Sequence, residues 1–335
     1  MSSQPLSSSS STSTSAPAEA PSKPQKKGVQ LEWIRRASVL VGVALLFIVF
    51  SVLTQSFYQP ANLLDILLQS SINTMIAVGM TLVVMTRGID LSVGSVVGLS
   101  SMIAASFLTG NLLLGTLAGM LVGVACGLIN GLLIAKLKLP DFIVTLGMLS
   151  IYRGFALIYT DGKPIYGIDP TFRAIFAGDV AGIPTPVLLA LAIAFVAFLL
   201  VRYTALGEQI IAVGGNEEAA RLSGINIDRV KICVYAISGL LASLAGFVLI
   251  GRVGAAEPIG GTGFELQAIG AAVIGGASLF GGEGNPMGSL IGALTLGAMQ
   301  NGLTLLNVPS FWQLVATGVV VILAVFADQA TRKRQ

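Results

Sequence analysis

The sequence predicts an all-α polytopic membrane protein with about ten transmembrane helices, some of them short or broken. Hydrophobic residues make up 54% of the 335 residues and charged residues only 10%, whereas soluble domains carry roughly 25% charged residues. Apolar segments recur along the chain, and the polar stretches between them are too short to form a soluble domain. Because backbone groups in lipid must be hydrogen-bonded within the segment, these spans are predicted to be helices.

Residues 1–30 are rich in Ser, Thr, Pro and Ala, and this composition buries too little apolar surface to fold. They are predicted to be a disordered cytoplasmic tail, and residues 31–335 a single transmembrane domain with a cytoplasmic loop at 203–231. Ten apolar segments follow the tail, several of them shorter than the ~20 residues that cross a bilayer easily. They are Ala37–Leu53, Ile72–Thr86, Leu91–Leu108, Leu112–Ala135, Phe142–Tyr159, Pro186–Val201, Ile232–Ile250, Leu266–Phe280, Met287–Leu306 and Phe311–Phe326.

The distribution of lysine and arginine predicts that both the N-terminus and the C-terminus are cytoplasmic. With the first residue inside and ten crossings, 15 of the 19 basic residues fall on the cytoplasmic side, in line with the positive-inside rule. The other four are Arg153, Lys163, Arg173 and Arg252. This orientation puts the charged segment Leu206–Lys231 in the cytoplasm and makes Thr160–Pro184 the largest external loop.

The segment Leu206–Lys231 is a long charged stretch between apolar spans. Asn216 is a good helix N-cap, and the helix dipole favours acids such as Glu217 and Glu218 in the first turn. Gly224 can adopt the left-handed conformation that ends a helix. The predicted helix has about two turns, too short to be stable alone in water, so it has to rest on a neighbour. Two interpretations fit this pattern: a helix in a solvent-exposed loop, or a helix that transmits movement to or from a soluble partner.

Three motifs carry a family resemblance. Ala212–Ile225 (AVGGNEEAARLSGI) resembles the cytoplasmic coupling segment of the permease subunits of bacterial ABC sugar importers, in the ribose, xylose and galactose branch. Thr86–Leu99 (TRGIDLSVGSVVGL) and Gly275–Leu294 (GGASLFGGEGNPMGSLIGAL) resemble the other two motifs of that family. The likeness runs from about Leu31 to Asp328 and is closest to ribose permeases.

The resemblance implies a transmembrane permease subunit of an ATP-driven monosaccharide importer in the bacterial plasma (inner) membrane, with ribose or a similar sugar as its substrate. It implies a homodimer in membrane lipid that works with a cytoplasmic ABC ATP-binding subunit and an extracytoplasmic sugar-binding protein. Ala219 and Ala220 are small enough to enter a groove of the ATP-binding subunit, with charge pairs at its rim. The residues assigned to coupling are Gly215, Asn216, Glu217, Glu218, Ala219, Ala220, Arg221 and Gly224.

Other functional classes find little support. The phosphate-binding pattern G-x-x-x-x-G-K-[ST] does not occur, so ATP would be hydrolysed by the partner and the chain is predicted not to be an enzyme. With no histidine and with Cys126 and Cys233 in apolar spans, neither a metal nor a cofactor is expected. The small net charge of +3 does not suggest nucleic acid. An ion-coupled secondary transporter or channel is the alternative, and Asp90 and Arg153 are its obvious ionisable candidates.

Asp90 lies in a polar break between the second and third apolar segments. Its carboxylate could cap the third helix by accepting from the amides of Ser92 or Val93, pair with Arg87, or bind the sugar directly. Glycines at 88 and 94 would let the backbone bend there, which makes Asp90, Ser92 and Gly94 candidates for a gate. A similar Gly-containing break interrupts the eighth and ninth segments, and such paired interruptions point to a transport pathway.

Arg153 lies well inside the fifth apolar segment, where an unpaired arginine costs at least ~2.5–3.5 kcal/mol. Tyr152, Phe155 and Tyr159 are expected near one face of the same helix. We hypothesise that Arg153 and these aromatics, Phe155 in particular, border the translocation path. An aromatic belt at the external membrane surface is the alternative interpretation.

Two further features concern packing and docking. The fourth segment carries a glycine every four residues, a stripe that lets another helix approach closely, within the subunit or at a dimer interface. Its members are Gly115, Gly119, Gly123, Gly127 and Gly131. Glu257 and Glu265 flank a Gly-rich loop predicted to be external, which with Thr160–Pro184 could dock the sugar-binding protein through charge pairs.

Overall fold

The computed structural model of the protein describes the backbone of residues 41–332 and the side chains of residues 41–329. The predicted tail at 1–30 lies outside this range. The described chain is mostly helical, which confirms the all-α architecture, and its short strands pair only two by two. The helices are α1 (Val41–Leu53, its described part), α2 (Pro60–Met85), α3 (Val93–Leu108), α4 (Leu112–Ala135), α5 (Asp141–Tyr159), α6 (Pro170–Ala177), α7 (Thr185–Tyr203), α8 (Ala205–Gly215), α9 (Glu217–Leu222), α10 (Ile227–Val253), α11 (Phe264–Ile274), α12 (Pro286–Leu305) and α13 (Ser310–Arg332).

Within the described range, six helices are long and apolar enough to cross a membrane: α2, α4, α5, α7, α10 and α13. Three shorter helices, α1, α3 and α11, are also apolar. A chain with this many apolar helices is a polytopic membrane protein. The total of ten spans and the cytoplasmic position of both termini stay predictions.

The start of α2 differs from the sequence prediction. The helix begins at Pro60, twelve residues before the predicted start at Ile72. A proline suits the first helical turn, where no amide partner is needed, but the polar residues after it interrupt the apolar pattern. One of them is used in packing: the side-chain amides of Asn62 and Asn301 exchange two hydrogen bonds of 3.0 and 2.9 Å, which tie α2 to α12.

Helix α10 is central to the bundle, because it packs against α2, α3 and α4 together. The glycine stripe of α4 lies inside the subunit. At Gly123, Gly127 and Gly131, the space that a side chain would fill is taken by the backbone of α10. At Gly119, it is taken by the ring of Phe247. At the other end of the stripe, Gly115 faces α3. Small residues therefore allow α4 and α10 to approach to backbone contact, as membrane helices do at such stripes.

Two of the non-helical connections within the bundle are in contact with each other. The first break, residues 86–92, joins α2 to α3, and the second, residues 275–285, joins α11 to α12. The amide of Gly282 in the second break donates a 2.9 Å hydrogen bond to the carbonyl of Met85 at the end of α2. The two interruptions that the sequence indicated therefore form one structural unit.

Bending of the first break at glycines 88 and 94 during transport stays a prediction, but neither glycine has a left-handed backbone in this structure. The left-handed residue there is Arg87, with φ of 65°. Gly88 and Gly94 serve close approach instead: Gly88 lies against the hydroxyl of Tyr235, and Gly94 lies against the carbonyl of Gly261. The turn was missed because glycine is the usual left-handed residue and arginine is rarely found there.

The loop after α10 is not a freely exposed external loop. Its strand β4 (Ala255–Ala256) pairs with β1 (Ile165–Tyr166) of the long loop between α5 and α7, which also contains α6 and the hairpin of β2 (Asp179–Val180) and β3 (Ile183–Pro184). The chain then folds back onto α3, where Gly98 contacts the carbonyls of Pro258 and Gly260. The two loops predicted to dock a partner are thus joined through one antiparallel pair.

Candidate coupling site

The charged segment at 203–231 forms the end of α7 and three further helices rather than one. Asn216 separates α8 from α9: its backbone is extended, with φ of −155°, and its side-chain oxygen accepts a 3.0 Å hydrogen bond from the amide of Ala219. This confirms Asn216 as the N-cap of α9. Gly224 follows the helix with φ of 83°, the left-handed end that its sequence position indicated. Helix α9 has six residues, a little under two turns.

The last part of the predicted loop belongs to α10. This helix begins at Ile227 and not at the predicted Ile232. Asn226 caps it by accepting a 3.0 Å hydrogen bond from the amide of Arg229. The early start was hidden because the first turn of α10 is charged, as first turns beyond the apolar span often are. Its acid, Asp228, forms a 2.9 Å ion pair with Lys136 at the end of α4.

Glu217 is an internal ion-pair partner. Its carboxylate accepts from Lys231 of α10 at 2.9 Å and from Arg221, one turn along α9, at 3.4 Å. These partly exposed pairs contribute about 0–1 kcal/mol each, so their main effect is to fix how α9 lies on α10. The use of both glutamates at a partner's rim stays a prediction: Glu218 is exposed, whereas Glu217 is half-buried and already paired within the subunit.

Of the two alanines of α9, one is buried in the subunit and the other is exposed. Ala220 is 4% exposed and packs in an apolar cluster with Val213 of α8 and Val230 of α10, while Ala219 is exposed. The expectation that both alanines enter a partner's groove is wrong for Ala220, because α9 needs one apolar side to rest on its own subunit. The outward face carries a residue that the sequence reasoning missed: Leu222 is 82% exposed. An apolar residue within a charged stretch was the available signal.

Arg87 connects the charged segment to both breaks. Its Nε donates to the carbonyl of Gly214 at 2.7 Å and to that of Phe280 at 2.9 Å, and its Nη2 donates to Gly215 at 2.6 Å. Gly214 and Gly215 are the last residues of α8, where a cation is favoured by the helix dipole. Gly214 was also missed: a side chain there would collide with the carbonyl of Met85. By contrast, a Cβ atom added at Gly215 would have no neighbouring atom within 4 Å.

Asp90 is 1% exposed and binds Ser92, the N-cap residue of α3. One carboxylate oxygen accepts from the amide of Ser92 at 3.0 Å and from its hydroxyl at 2.7 Å. The other oxygen accepts from the hydroxyl of Ser238 in α10 at 3.3 Å. The carboxylate thus accepts from the amide of Ser92, as the capping interpretation predicted, while Arg87 binds backbone carbonyls instead of Asp90. Direct binding of the sugar by Asp90 stays a prediction.

A chain of buried hydrogen bonds continues from this cap. Ser92 accepts from the side-chain amide of Asn130 in α4 at 2.8 Å, and Asn130 accepts from the hydroxyl of Tyr152 in α5 at 3.0 Å. The network joins α3, α4, α5 and α10 through fully satisfied polar groups, which rigidifies a core of this kind.

Arg153 and the aromatics of α5 do not share one face. Tyr152 is 3% exposed, whereas Phe155 is 55% exposed on the outer surface. A step of three residues leaves a helix roughly 60° short of a full turn, which is enough to carry Phe155 out of the core. Arg153 is satisfied by protein: its Nη1 donates to the carbonyls of Pro258 and Gly260 at 2.8 and 2.9 Å. It therefore holds the folded-back loop on α3.

A cavity of about 490 Å³ lies beside α9, between the first break and the loop from α4 to α5. Its walls carry both signs of charge, from Arg87, Lys138, Asp141, Glu217, Arg221, Asp228 and Lys231. The carboxylate of Asp141 accepts a 2.8 Å hydrogen bond from the amide of Ile89, which fixes the first break to α5. In residues 41–329, no group of three acids or cysteines is placed to hold a metal ion.

An apolar bundle with six helices long enough to cross a membrane places the chain in the class of polytopic α-helical membrane proteins. Residues 62–325 match the family described as "Branched-chain amino acid transport system / permease component", and the chain belongs to this family. It is a multi-pass protein of the bacterial plasma (inner) membrane and a transport component rather than an enzyme.

Among its relatives are ribose import permeases. The ribose import permease protein RbsC of Escherichia coli (strain K12) is 43% identical over 302 residues, which cover 88% of this chain and 94% of the relative. RbsC of Bacillus subtilis (strain 168) is 42% identical over 300 residues, covering 88% and 93%. The D-allose transport system permease protein AlsC of Escherichia coli (strain K12) is 39% identical over 306 residues, covering 90% and 94%.

Proposed function

We propose that this chain is the transmembrane subunit of an ATP-driven importer of ribose or a closely related monosaccharide. The observation that carries the proposal is the near full-length similarity to ribose import permeases, at 42–43% identity. Relatives named for allose, arabinose and xylose are 39%, 36% and 34% identical. Their order supports ribose ahead of the other sugars.

The proposed coupling surface is the outward face of α9, formed by Glu218, Ala219 and Leu222. Leu222 is a large apolar side chain left 82% exposed beside acidic and basic residues. Burying it in a groove of a cytoplasmic ATP-binding subunit would contribute roughly 1.5–3 kcal/mol, with Glu218 at the rim. The remaining coupling residues, Asn216 and Gly224 among them, shape and orient this face.

The proposed cycle follows from linkage. The ATP-binding subunit hydrolyses ATP, since this chain lacks a phosphate-binding loop and needs no cofactor of its own. Its closure on ATP moves α9, and the helices shift between outward-open and inward-open arrangements. Two copies of this ten-span chain would form the permease, with residues 31–335 as one domain in each. Both termini and α9 would then lie in the cytoplasm.

A sugar-binding protein would dock at the opposite end of the bundle, on the loop Thr160–Pro184. The pairing of β1 with β4 gives that surface a defined shape, and the exposed acids Asp161, Asp179 and Glu257 offer charge pairs. An ion-coupled transporter is the competing function. It is disfavoured because the buried carboxylate of Asp90 already accepts hydrogen bonds from Ser92 and Ser238.

The test is reconstitution with the cognate ATP-binding subunit and sugar-binding protein in proteoliposomes. Uptake of ribose should require ATP and both partners, and uptake driven by an ion gradient alone would reject the proposal. Leu222→Asp should weaken retention of the ATP-binding subunit about tenfold or more, since loss of a buried apolar anchor costs over 1.4 kcal/mol. Val180→Asp is the matched control: Val180 is also exposed but lies in the hairpin at the other end of the bundle, so retention should be unchanged.

A further inference from the structure

Three separate parts of the chain converge on one side chain. Arg87 belongs to the break between α2 and α3, and its guanidinium binds the carbonyls of Gly214 and Gly215 at the end of α8. The same guanidinium binds the carbonyl of Phe280 in the break between α11 and α12. We propose that Arg87 is the positioning residue that transmits the movement of α9 to both broken spans. The inference rests on the proposed function of α9 as the coupling helix.

The first step of transmission is the connection from α9 to α8. A single residue, Asn216, separates the two helices. Its amide donates to the carbonyl of Ala212 at 3.0 Å, and its carbonyl accepts from the amide of Ala220 at 2.9 Å. Its side chain also accepts from Ala219. The junction is therefore hydrogen-bonded on both sides, and a push on α9 displaces the end of α8 where Arg87 is attached.

The second step is the contact between the two breaks. Beside the guanidinium, Gly282 donates to the carbonyl of Met85, and Gly214 packs against both with no room for a side chain. Three backbone segments thus touch at one point. Arg87 adds directed hydrogen bonds to this contact, and the planar guanidinium fixes the direction of each bond more strictly than an ammonium would.

The conformation of Arg87 also points to a dedicated role. Its φ of 65° lies in the left-handed region, which side-chain-bearing residues avoid and which glycine adopts freely. Backbone preference alone would favour glycine at this position, so the guanidinium contacts are the physical reason for an arginine. The side chain is exposed to the cavity beside α9. Its bonds can therefore break and re-form in water without leaving a buried charge unpaired, which suits a movable link.

The element that receives this movement is α11. It has only eleven residues and lies between the second break and the loop that Arg153 holds against α3. A short helix between two non-helical segments can tilt or shift as a body when one end is displaced. Short interrupted helices of this kind commonly line transport pathways.

Lys138 provides a matched control for Arg87. It also has a left-handed backbone, with φ of 54°, and it lines the same cavity. Among the residues that the structure describes, the ammonium of Lys138 makes no hydrogen bond or ion pair. Arg87→Met and Lys138→Met therefore remove the same charge from the same cavity and leave similar backbones, but only the first change removes the link.

The experiment compares these variants in the full complex reconstituted with the ATP-binding subunit and the sugar-binding protein. Arg87→Met should retain the ATP-binding subunit within about twofold but transport at least tenfold less sugar per ATP hydrolysed. Lys138→Met should keep the wild-type ratio, and Arg87→Lys should recover part of it. If Arg87→Met transports sugar at the wild-type ratio, or releases the ATP-binding subunit, the inference is wrong.

A second readout follows α11 directly and does not depend on sugar. Spin labels at Leu266→Cys on α11 and Ile151→Cys on α5, in a background without Cys126 and Cys233, report the distance between the helices. This distance should change on adding ATP in the wild-type background and stay constant with Arg87→Met. An equal change in both backgrounds would overturn the inference. Failure of the wild-type complex to import any sugar would instead overturn the proposed function.

Discussion

Replacing Gly127 by alanine is expected to destabilise the bundle, because the new methyl group would meet backbone and not a flexible side chain. A Cβ atom at Gly127 would lie 2.8 Å from the carbonyl carbon of Tyr235 and 2.9 Å from the Cα of Ala236. Real Cβ atoms do not approach other atoms so closely. Helix α10 cannot simply withdraw from α4, since it is packed on α2 and α3 as well.

The magnitude follows from two opposing effects. Alanine is favoured over glycine inside a helix by up to about 1 kcal/mol, while overpacking a tight contact costs about 1–3 kcal/mol. The net effect at Gly127 is a loss of about 0–3 kcal/mol. In α5, Gly147 is exposed, and no atom lies within 4 Å of the position that an added methyl group would take. Gly147→Ala therefore keeps only the favourable effect, and the difference between the two variants isolates the overpacking cost.

Both variants are heated in the same detergent, and the fraction of protein that stays monodisperse is measured at each temperature. A difference of 1–3 kcal/mol corresponds to roughly 1.5 °C in Tm for each kcal/mol in a chain of this size, at an unfolding entropy of about 2.1 cal/mol/K per residue. Gly147→Ala should melt at or above the wild-type temperature and Gly127→Ala at or below it. A Tm for Gly127→Ala equal to or above that of Gly147→Ala would refute the backbone contact between α4 and α10.

Two other expectations concern polar groups. Asn130→Leu removes the side-chain amide that lies between Ser92 and Tyr152. It should lower the free energy of unfolding by about 1–3 kcal/mol, because buried polar groups are left without hydrogen-bond partners. An unchanged unfolding curve would contradict the network. The amide of Phe172 donates to Asp169, the cap of α6, which lowers the pKa of that exposed carboxyl below its usual value. Because the folded pKa is below the unfolded one of about 3.9, this stabilisation is complete above pH ~3.9 and is lost as pH falls towards the folded pKa. The protection factors for hydrogen exchange in residues 170–177, which correct for the slower intrinsic exchange in acid, should therefore fall in acid in the wild type, and Asp169→Ala should remove that pH dependence.

The short-range features of the site were predictable from the sequence. Asn216 and Gly224 act through their own amides and dihedral angles, so the two ends of α9 follow from local chemistry. Which side of α9 packs on its own subunit and which side is exposed was not predictable. Whether Ala219 or Ala220 points inward is decided by the cluster around Val213 and Val230, which belong to other helices.

The role of Arg87 could not be predicted for a related reason. Its acceptors at Gly214 and Phe280 are 127 and 193 residues away in the sequence. They are backbone carbonyls, which carry no residue-specific signal. A charged neighbour such as Asp90 was the natural candidate partner, but Ser92 satisfies that carboxylate locally. Long-range pairing to main-chain groups is the part of a site that residue types alone do not reveal.

The central position of α10 also constrains how the protein is made. Helix α4, which packs on α10, ends at Ala135, but α10 begins only at Ile227. The ribosome therefore reaches the start of α10 227 − 135 = 92 residues after the end of α4. At about 5–20 residues per second, this interval lasts roughly 5–20 s. During that time the glycine stripe and the polar groups of the earlier helices wait in the bilayer without their main neighbour. If the helices enter the membrane in chain order, α10 reaches its place only after α2, α3 and α4, and a chain stopped before Ile227 would lack the helix on which these three pack.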